Sequence, residues 1–183
     1  MKEIEMTGED QSELDRLVPE WHFREIHRIP VSGTVDEVMR AVYATTWAEA
    51  PLARALVAIT RADVSAERRI VSDYLRESGE VIPSGSEEFL FAGVQSTEDI
   101  PRPPGTISEI VRECAEPGIL KIGMNVRYAA GILSTETRIF ATDDRTRRRF
   151  APYWLFIRCG SGATRKSMLR AIRGRVVREA AGA

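Results

Sequence analysis

Two alternating segments joined by a tight turn constrain the fold of this 183-residue chain most strongly. Residues 119–130 and 132–142 alternate between two kinds of side chain along their length, which is the period of a β-strand. Ala130-Gly131 between them suits a two-residue hairpin turn. The sequence therefore predicts an antiparallel hairpin. One of its faces carries Leu120, Ile122, Met124, Val126 and Tyr128 together with Leu133, Thr135, Thr137, Ile139 and Ala141.

The residues after the hairpin have helical periodicity, and we expect the hairpin to pack against the helices that they form. Phe150, Trp154 and Ile157 recur at helical spacing, whereas Pro152 predicts a kink or a restart. Residues 160–162, Gly-Ser-Gly, predict the end of this aromatic helix and a second helix that Ser161 caps over residues 163–179. The second helix has an apolar stripe and an opposite, solvated basic face of Arg165, Lys166, Arg170, Arg173 and Arg178.

The N-terminal part of the chain predicts a strand and several helices. Residues 21–32 alternate, and the face that ends in Ile29 and Val31 also carries Glu25 and His27, so both are expected to point inward. Thr34 and Glu37 form a capping-box pattern at the start of a helix that runs to about Ala44. A second helix is expected over residues 48–59, with a buried stripe of Leu52, Leu56 and Ile59.

The middle of the chain is less regular. Residues 66–78 predict an amphipathic helix that Gly79 ends, residues 80–85 a turn and residues 88–95 a strand. Residues 96–105 contain three prolines and predict a loop. A strand and a short helix both fit residues 106–115.

Composition and charge exclude several classes of protein. No apolar run approaches the roughly 20 residues that span a bilayer, and the acidic start does not resemble a secretory signal, so a cytoplasmic location is expected. Cys114 and Cys159 have no metal-ligand spacing, and neither a metal nor a cofactor is expected. Residues 141–183 carry eleven Arg and Lys against three Asp and Glu, a net charge of +8, so residues 1–140 carry −9. A basic helix packed on an acidic remainder explains this asymmetry, and an anion-binding face is the alternative.

The order of elements resembles the helix-grip fold of the START-like superfamily, also called SRPBCC. The resemblance rests on FREIHRIPVSGTVDEVMRAV at residues 23–42, on EPGILKIGMNVRYAA and STETRIFATD within residues 116–143, and on FAPYWLFIRCGSGATRKSMLRAI at residues 150–172, which looks like uncharacterised bacterial members. It implies an α+β fold in which a curved antiparallel sheet wraps around a long C-terminal helix. Residues 1–20 lack a sustained apolar period and predict a flexible lead, in which Leu14, Leu17 and Val18 can form one helical turn, so the START-like domain is expected over residues 21–183.

The resemblance further implies an apolar cavity between the sheet and the last helix. Members of the superfamily use this cavity for lipids, sterols, hormones or polyketides, and a minority are cyclases, aromatases or hydratases. Fold alone does not choose among these activities. The first hypothesis is therefore non-covalent binding of a small hydrophobic or amphipathic ligand, with no catalytic residue assigned.

Seven side chains are candidates for contact with such a ligand. Glu25 and His27 can hydrogen-bond a ligand or move a proton, and a structural polar cluster is the alternative. An apolar wall with a few hydroxyls is expected from Met124, Tyr128, Thr135, Thr137 and Trp154, for which core packing is the alternative. Free N–H groups at the helix start after Arg158 and residues 160–162 would favour an anion, and a simple helix break is the alternative.

Two other functions remain open from the sequence. One is an enzyme of the cyclase/dehydratase type that uses Glu25 and His27 with Tyr128. The other is binding of nucleic acid or another anionic partner through the basic C-terminus. Aromatic and basic residues are not interleaved on a strand face, so no nucleic-acid partner is expected. The sequence allows a homo-oligomer and does not set the oligomeric state.

Overall fold

A computed structural model describes residues 12–60, 62–96 and 101–182. The chain has an α+β fold with a five-stranded antiparallel sheet in the order β1-β5-β4-β3-β2, which is not closed. The strands are β1 (Phe23–Pro30), β2 (Glu80–Ile82), β3 (Glu88–Ser96), β4 (Ile119–Ala129) and β5 (Ile132–Ala141). The expected α+β class, with a long C-terminal helix packed on an antiparallel sheet, is confirmed.

The hairpin of β4 and β5 forms the centre of the sheet, as expected. Ala130 and Gly131 have φ angles of 49° and 78°, the positive values that a tight hairpin turn of this kind requires. Val126 faces Thr135, and Met124 faces Thr137. Met124, Val126 and Tyr128 pack in the same core as the C-terminal helix, so the predicted inner face of β4 is also confirmed.

The C-terminal helix α6 (Asp144–Ala181) is one element of 38 residues, about 57 Å long at the usual rise per residue. The predicted break at residues 160–162, with Ser161 as a cap, is therefore wrong. Helix α6 tolerates Pro152 because residue 152 and Arg148, whose carbonyl loses its helical partner, are both exposed to water. Gly160 and Gly162 have a low helix propensity, but the helix is buried before them at Trp154 and after them at Leu169. The apolar contacts of these two segments outweigh the cost of the glycines.

Two further helices pack beside α6. Helix α2 (Val35–Ala44) begins with the predicted capping box, in which Thr34 and Glu37 bond each other's backbone N–H groups. A 3₁₀ turn (Trp47–Glu49) leads into α3 (Pro51–Ala58). The predicted stripe of α3 is wrong in part, because Leu52 and Ile59 are exposed and the small side chain of Ala53 is buried instead. Ala53 lets α3 approach α6, where its N–H donates to Ser167 Oγ at 3.3 Å.

The middle of the chain adds elements that local pattern does not specify. A π-helical stretch (Ile70–Leu75) continues into the single turn α4 (Arg76–Ser78), where one regular helix was expected. The expected turn at residues 80–85 contributes strand β2 instead. Residues 106–115 contain helix α5 (Ile107–Glu113), which settles the open choice in favour of a helix. Residues 97–100 of the expected proline-rich loop lie outside the described residues, and residues 101–105 have no regular structure.

The outer face of the sheet is covered by the short helix α1 (Glu13–Leu17). Leu14, Leu17 and Val18 are buried there, so the expected helical turn is present and is packed. The rest of the expected flexible lead, residues 1–11, lies outside the described part. Beneath α1, the outer face buries polar side chains that pair with one another, namely Glu88, Asn125, Glu136 and Arg138. Within the described residues, no helix is long and apolar enough to cross a membrane.

Candidate functional site

Glu25 and His27 lie on the face of β1 that meets α6, where strand alternation predicted them. His27 Nε2 and Glu25 Oε1 are 3.0 Å apart. Glu25 is only 6% exposed, and its other oxygen, Oε2, has no hydrogen-bond partner among the described residues. A buried carboxylate oxygen without a donor is costly, so the pair is an unusual feature of the interface between β1 and α6.

Helix α6 passes close to this pair at Gly162. A Cβ built at position 162 would meet the Glu25 carboxylate and lie 3.3 Å from His27 Nε2. The predicted break residue is thus a contact residue, which keeps α6 close to β1 while remaining helical. Because the helix is continuous here, its first-turn N–H groups lie near Asp144, so neither the helix break nor the alternative anion site near Arg158 is formed.

Arg165, one turn after Gly162, turns toward the sheet, and its predicted place on the solvated basic face is wrong. Its Nε lies 3.2 Å from Ser161 Oγ, and its Nη1 donates to Thr135 Oγ1 at 3.3 Å. Burial lowers the pKa of Arg165 to about 10, although the negative charge of Glu25 acts in the opposite direction. The other four members of the predicted basic face, Lys166, Arg170, Arg173 and Arg178, are exposed.

A cavity of about 580 Å³ lies beside Arg165, between α6, α3, the π-helical stretch and β4. Its volume is within the range of pockets that hold small molecules. Trp47, Ile70, Met124 and Met168 are buried side chains of its wall. Exposed apolar residues also line it and form its rim, which we define as Ile59, Tyr153 and Phe156. We call this space the apolar cavity.

Glu25 and His27 line a second space, of about 660 Å³, together with residues of α3 and α6 that include Leu52, Leu155, Arg158 and Lys166. They are not among the residues that line the apolar cavity. Arg165 lies between the two cavities. It lines the apolar cavity and interacts electrostatically with Glu25, which lines the second cavity.

The remaining candidates fall into different environments. Met124 lines the apolar cavity, and Thr135 accepts the hydrogen bond from Arg165 while donating to the Asn125 carbonyl at 2.8 Å. Tyr128 is buried and donates to the carbonyls of Val31 and Gly33, at 3.0 and 2.7 Å. Trp154 packs against Phe23, with ring centroids 5.8 Å apart.

Thr137 is buried in the middle of β5, and its hydroxyl has no partner among the described residues. Thr137 lies opposite Glu25 in the register of β1 and β5. The two orphan polar atoms, Glu25 Oε2 and Thr137 Oγ1, therefore belong to neighbouring positions of the sheet. The structure brings Glu25, His27, Thr135 and Thr137 together on two paired strands, and leaves Tyr128 and Trp154 in other contacts.

Sequence reasoning missed Arg165 and Trp47 as residues of the site. The helical spacing did indicate the direction of Arg165. Arg165 lies four residues before Leu169 and seven before Ile172, so it belongs to the same helix face as these two buried residues. Trp47 lies in a 3₁₀ turn between two helices, where no periodicity indicates its direction. Its indole Nε1 is buried without a partner among the described residues.

Within the part of the chain that the structure describes, no group of three or more His, Cys, Asp or Glu side chains is arranged to hold a metal ion. Comparison of the chain with protein-family models, with curated proteins and with solved structures found no match.

Proposed function

We propose that this protein binds a small hydrophobic or amphipathic molecule non-covalently in the apolar cavity, as a helix-grip protein of START-like type. The observation that carries the proposal is a cavity of about 580 Å³ whose wall is mainly apolar, between the sheet and the C-terminal helix. A pocket of this size and lining suits a ligand that gains affinity from burial of apolar surface.

The rim of the cavity supports this proposal. Ile59 and Phe156 are 78% and 84% exposed, and both line the opening of a space whose inner wall is buried. Large apolar side chains that are exposed next to a concave apolar surface are a common feature of binding sites. Such a rim gives an apolar ligand a continuous path from the surface to the interior.

A fluorescence titration with N-phenyl-1-naphthylamine, a neutral apolar probe, tests the proposal. We expect saturable binding at one site. The blocking variant is Gly160→Leu, because Gly160 lines the cavity and a Cβ there meets no atom within 4 Å, so the added side chain takes up free space without a clash. Leu also favours the helix over Gly, which keeps the variant folded.

The matched control is Cys159→Leu. Cys159 is exposed, adjacent in sequence and outside the lining of the apolar cavity. We expect Gly160→Leu to weaken probe binding by about tenfold or more, and Cys159→Leu to leave it unchanged. Absence of saturable binding to the unmodified protein, or equal affinity in all three proteins, would sink the proposal.

An enzyme that uses Glu25 and His27 is the second candidate, and the pair at the wall of the second cavity favours it. Tyr128 does not join this pair, since its hydroxyl is committed to two backbone carbonyls. Binding and catalysis would then use different spaces. The His27→Phe variant distinguishes them, because His27 lines the second cavity and not the apolar cavity, so binding of the neutral probe should stay intact.

Nucleic acid is not part of the proposed function. Arg175 and Arg178 at the end of α6 both pair with Glu49, and Arg165 points inward. Because of these contacts, the three arginines do not contribute to a continuous basic stripe along the helix. Binding to the phosphate backbone of a nucleic acid requires such a stripe.

A further inference from the structure

Among the side chains that line the apolar cavity, Arg165 and Trp47 carry N–H donors, and none of the lining residues is a carboxylate. The hydroxyl groups of Thr60 and Thr164 already donate to the carbonyls of Val57 and Gly160, at 2.7 and 3.0 Å. Trp47 lines the cavity, and its Nε1–H is buried with no acceptor among the described residues. An indole N–H can only donate, but this nitrogen is fully buried, so the donor that the cavity offers a ligand is Arg165.

Arg165 supplies a positive charge on the same wall. Its hydrogen-bond partners in the described chain are two hydroxyl oxygens, on Ser161 and Thr135, and it forms no ion pair with a described carboxylate. Glu25 acts on it electrostatically without a hydrogen bond, and Glu25 Oε1 is engaged with His27. With a pKa of about 10, the guanidinium stays charged at neutral pH.

We infer that the ligand is an amphipathic anion whose head group binds Arg165 and whose apolar tail lies along the cavity wall. This inference rests on the proposed function and specifies its ligand class. A carboxylate or a phosphate has acceptor oxygens and a negative charge, which match a guanidinium that lines the cavity and whose described partners are two hydroxyl oxygens. Charge-assisted hydrogen bonds to arginine are among the stronger ones, particularly where water is excluded.

Competition for the bound neutral probe by three decyl compounds tests the inference, because decanoate, decyl phosphate and 1-decanol share a tail and differ in the head. We expect an anionic compound to bind the unmodified protein about tenfold to a hundredfold more tightly than 1-decanol. The stronger of decanoate and decyl phosphate identifies the head group.

Variants assign this preference to one side chain. In Arg165→Met the ratio of anion to alcohol affinity should fall to about one, while 1-decanol binds as before. Arg170→Met is the matched control, since Arg170 lies on the same helix, is exposed and does not line the apolar cavity, and it should keep the full ratio. Arg165→Lys keeps the charge without the planar fork and should keep part of the ratio.

The possible outcomes separate the two claims. If 1-decanol and the anions compete equally with the probe in the unmodified protein, or if Arg165→Met and Arg170→Met have the same ratio, the anionic ligand class is wrong and the apolar cavity remains a binding site. If neither the probe nor any decyl compound binds, the proposed function itself fails. Should Arg165→Met not fold, the ratio in the unmodified protein and in Arg165→Lys still decides the inference.

Discussion

A Cβ at position 162 would lie 2.8 Å from Oε1 of Glu25, so the absence of a side chain at Gly162 lets α6 rest directly on β1. We expect Gly162→Ala to lower the free energy of unfolding by about 1–3 kcal/mol, because the buried Glu25 carboxylate must shift and weaken its bond to His27.

Gly160 is the matched control for this change. A Cβ at position 160 has no neighbouring atom within 4 Å, so Gly160→Ala should raise stability by up to about 1 kcal/mol through helix propensity alone. Urea unfolding of the two variants measures both effects. Equal stabilisation by the two substitutions would show that α6 does not approach β1 as described.

Arg138 holds the short helix α1 on the outer face of the sheet. Its guanidinium pairs with Glu136 at 2.6 Å and with Asp15, and donates to the Val18 carbonyl at 3.1 Å, while its side chain is 5% exposed. Arg138→Met should lower the free energy of unfolding by about 2 kcal/mol, because Glu136 and Asp15 lose a buried charged partner, although Arg24 still pairs with Glu136.

The control for Arg138→Met is Arg16→Met. Arg16 is largely exposed and pairs with Glu13 of its own helix, so its loss should cost no more than about 1 kcal/mol. Unfolding of both variants in urea, followed by tryptophan fluorescence, compares the costs. A cost for Arg138→Met as small as that for Arg16→Met would contradict a structural role for the outer network.

Asp143 caps α6 and should make stability depend on pH in acid. The hydroxyl and backbone N–H of Thr146 and the backbone N–H of Gly118 donate to its carboxylate and lower its pKa to about 2 from an ordinary 3.8. Since the pKa is lower in the folded state, the stabilisation is present above about pH 4 and is lost as the pH falls toward 2.

The comparison of the unmodified protein with Asp143→Asn isolates this effect, because other acidic groups titrate in both. The unmodified protein should be the more stable above about pH 4, and the difference in urea midpoints should shrink toward pH 2. A difference that stays constant over this range would mean that ionisation of Asp143 does not contribute.

The hydroxyl of Tyr128 donates to the carbonyls of Val31 and Gly33, so we expect Tyr128 to stabilise the fold and not to bind the ligand. We expect Tyr128→Phe to cost about 1–2 kcal/mol in unfolding free energy and to leave the dissociation constant of the neutral probe unchanged. Parallel unfolding and probe titrations check both parts. A change in probe affinity without a loss of stability would return Tyr128 to the binding site.

Much of the framework followed from local pattern. The alternation in β4 and β5, the turn at Gly131 and the capping box of Thr34 with Glu37 each depend on residues close together in the chain, so their physics is readable from the sequence. The inward direction of Glu25 and His27 followed from the same period of two.

Other features depend on contacts that no local rule contains. Residues 160–162 remain helical because buried neighbours on both sides hold α6 in place, and a glycine there is favoured by the approach of Glu25 from another element. The direction of Arg165 was decided by the hydroxyl of Thr135 and by the space left between α3 and α6. The sequence by itself determined strands β1, β3, β4 and β5 and the inner faces of β1, β4 and β5, while strand β2, the continuous helix and the cavity that Arg165 lines were decided only by tertiary packing, because burial free energy outweighs local propensity.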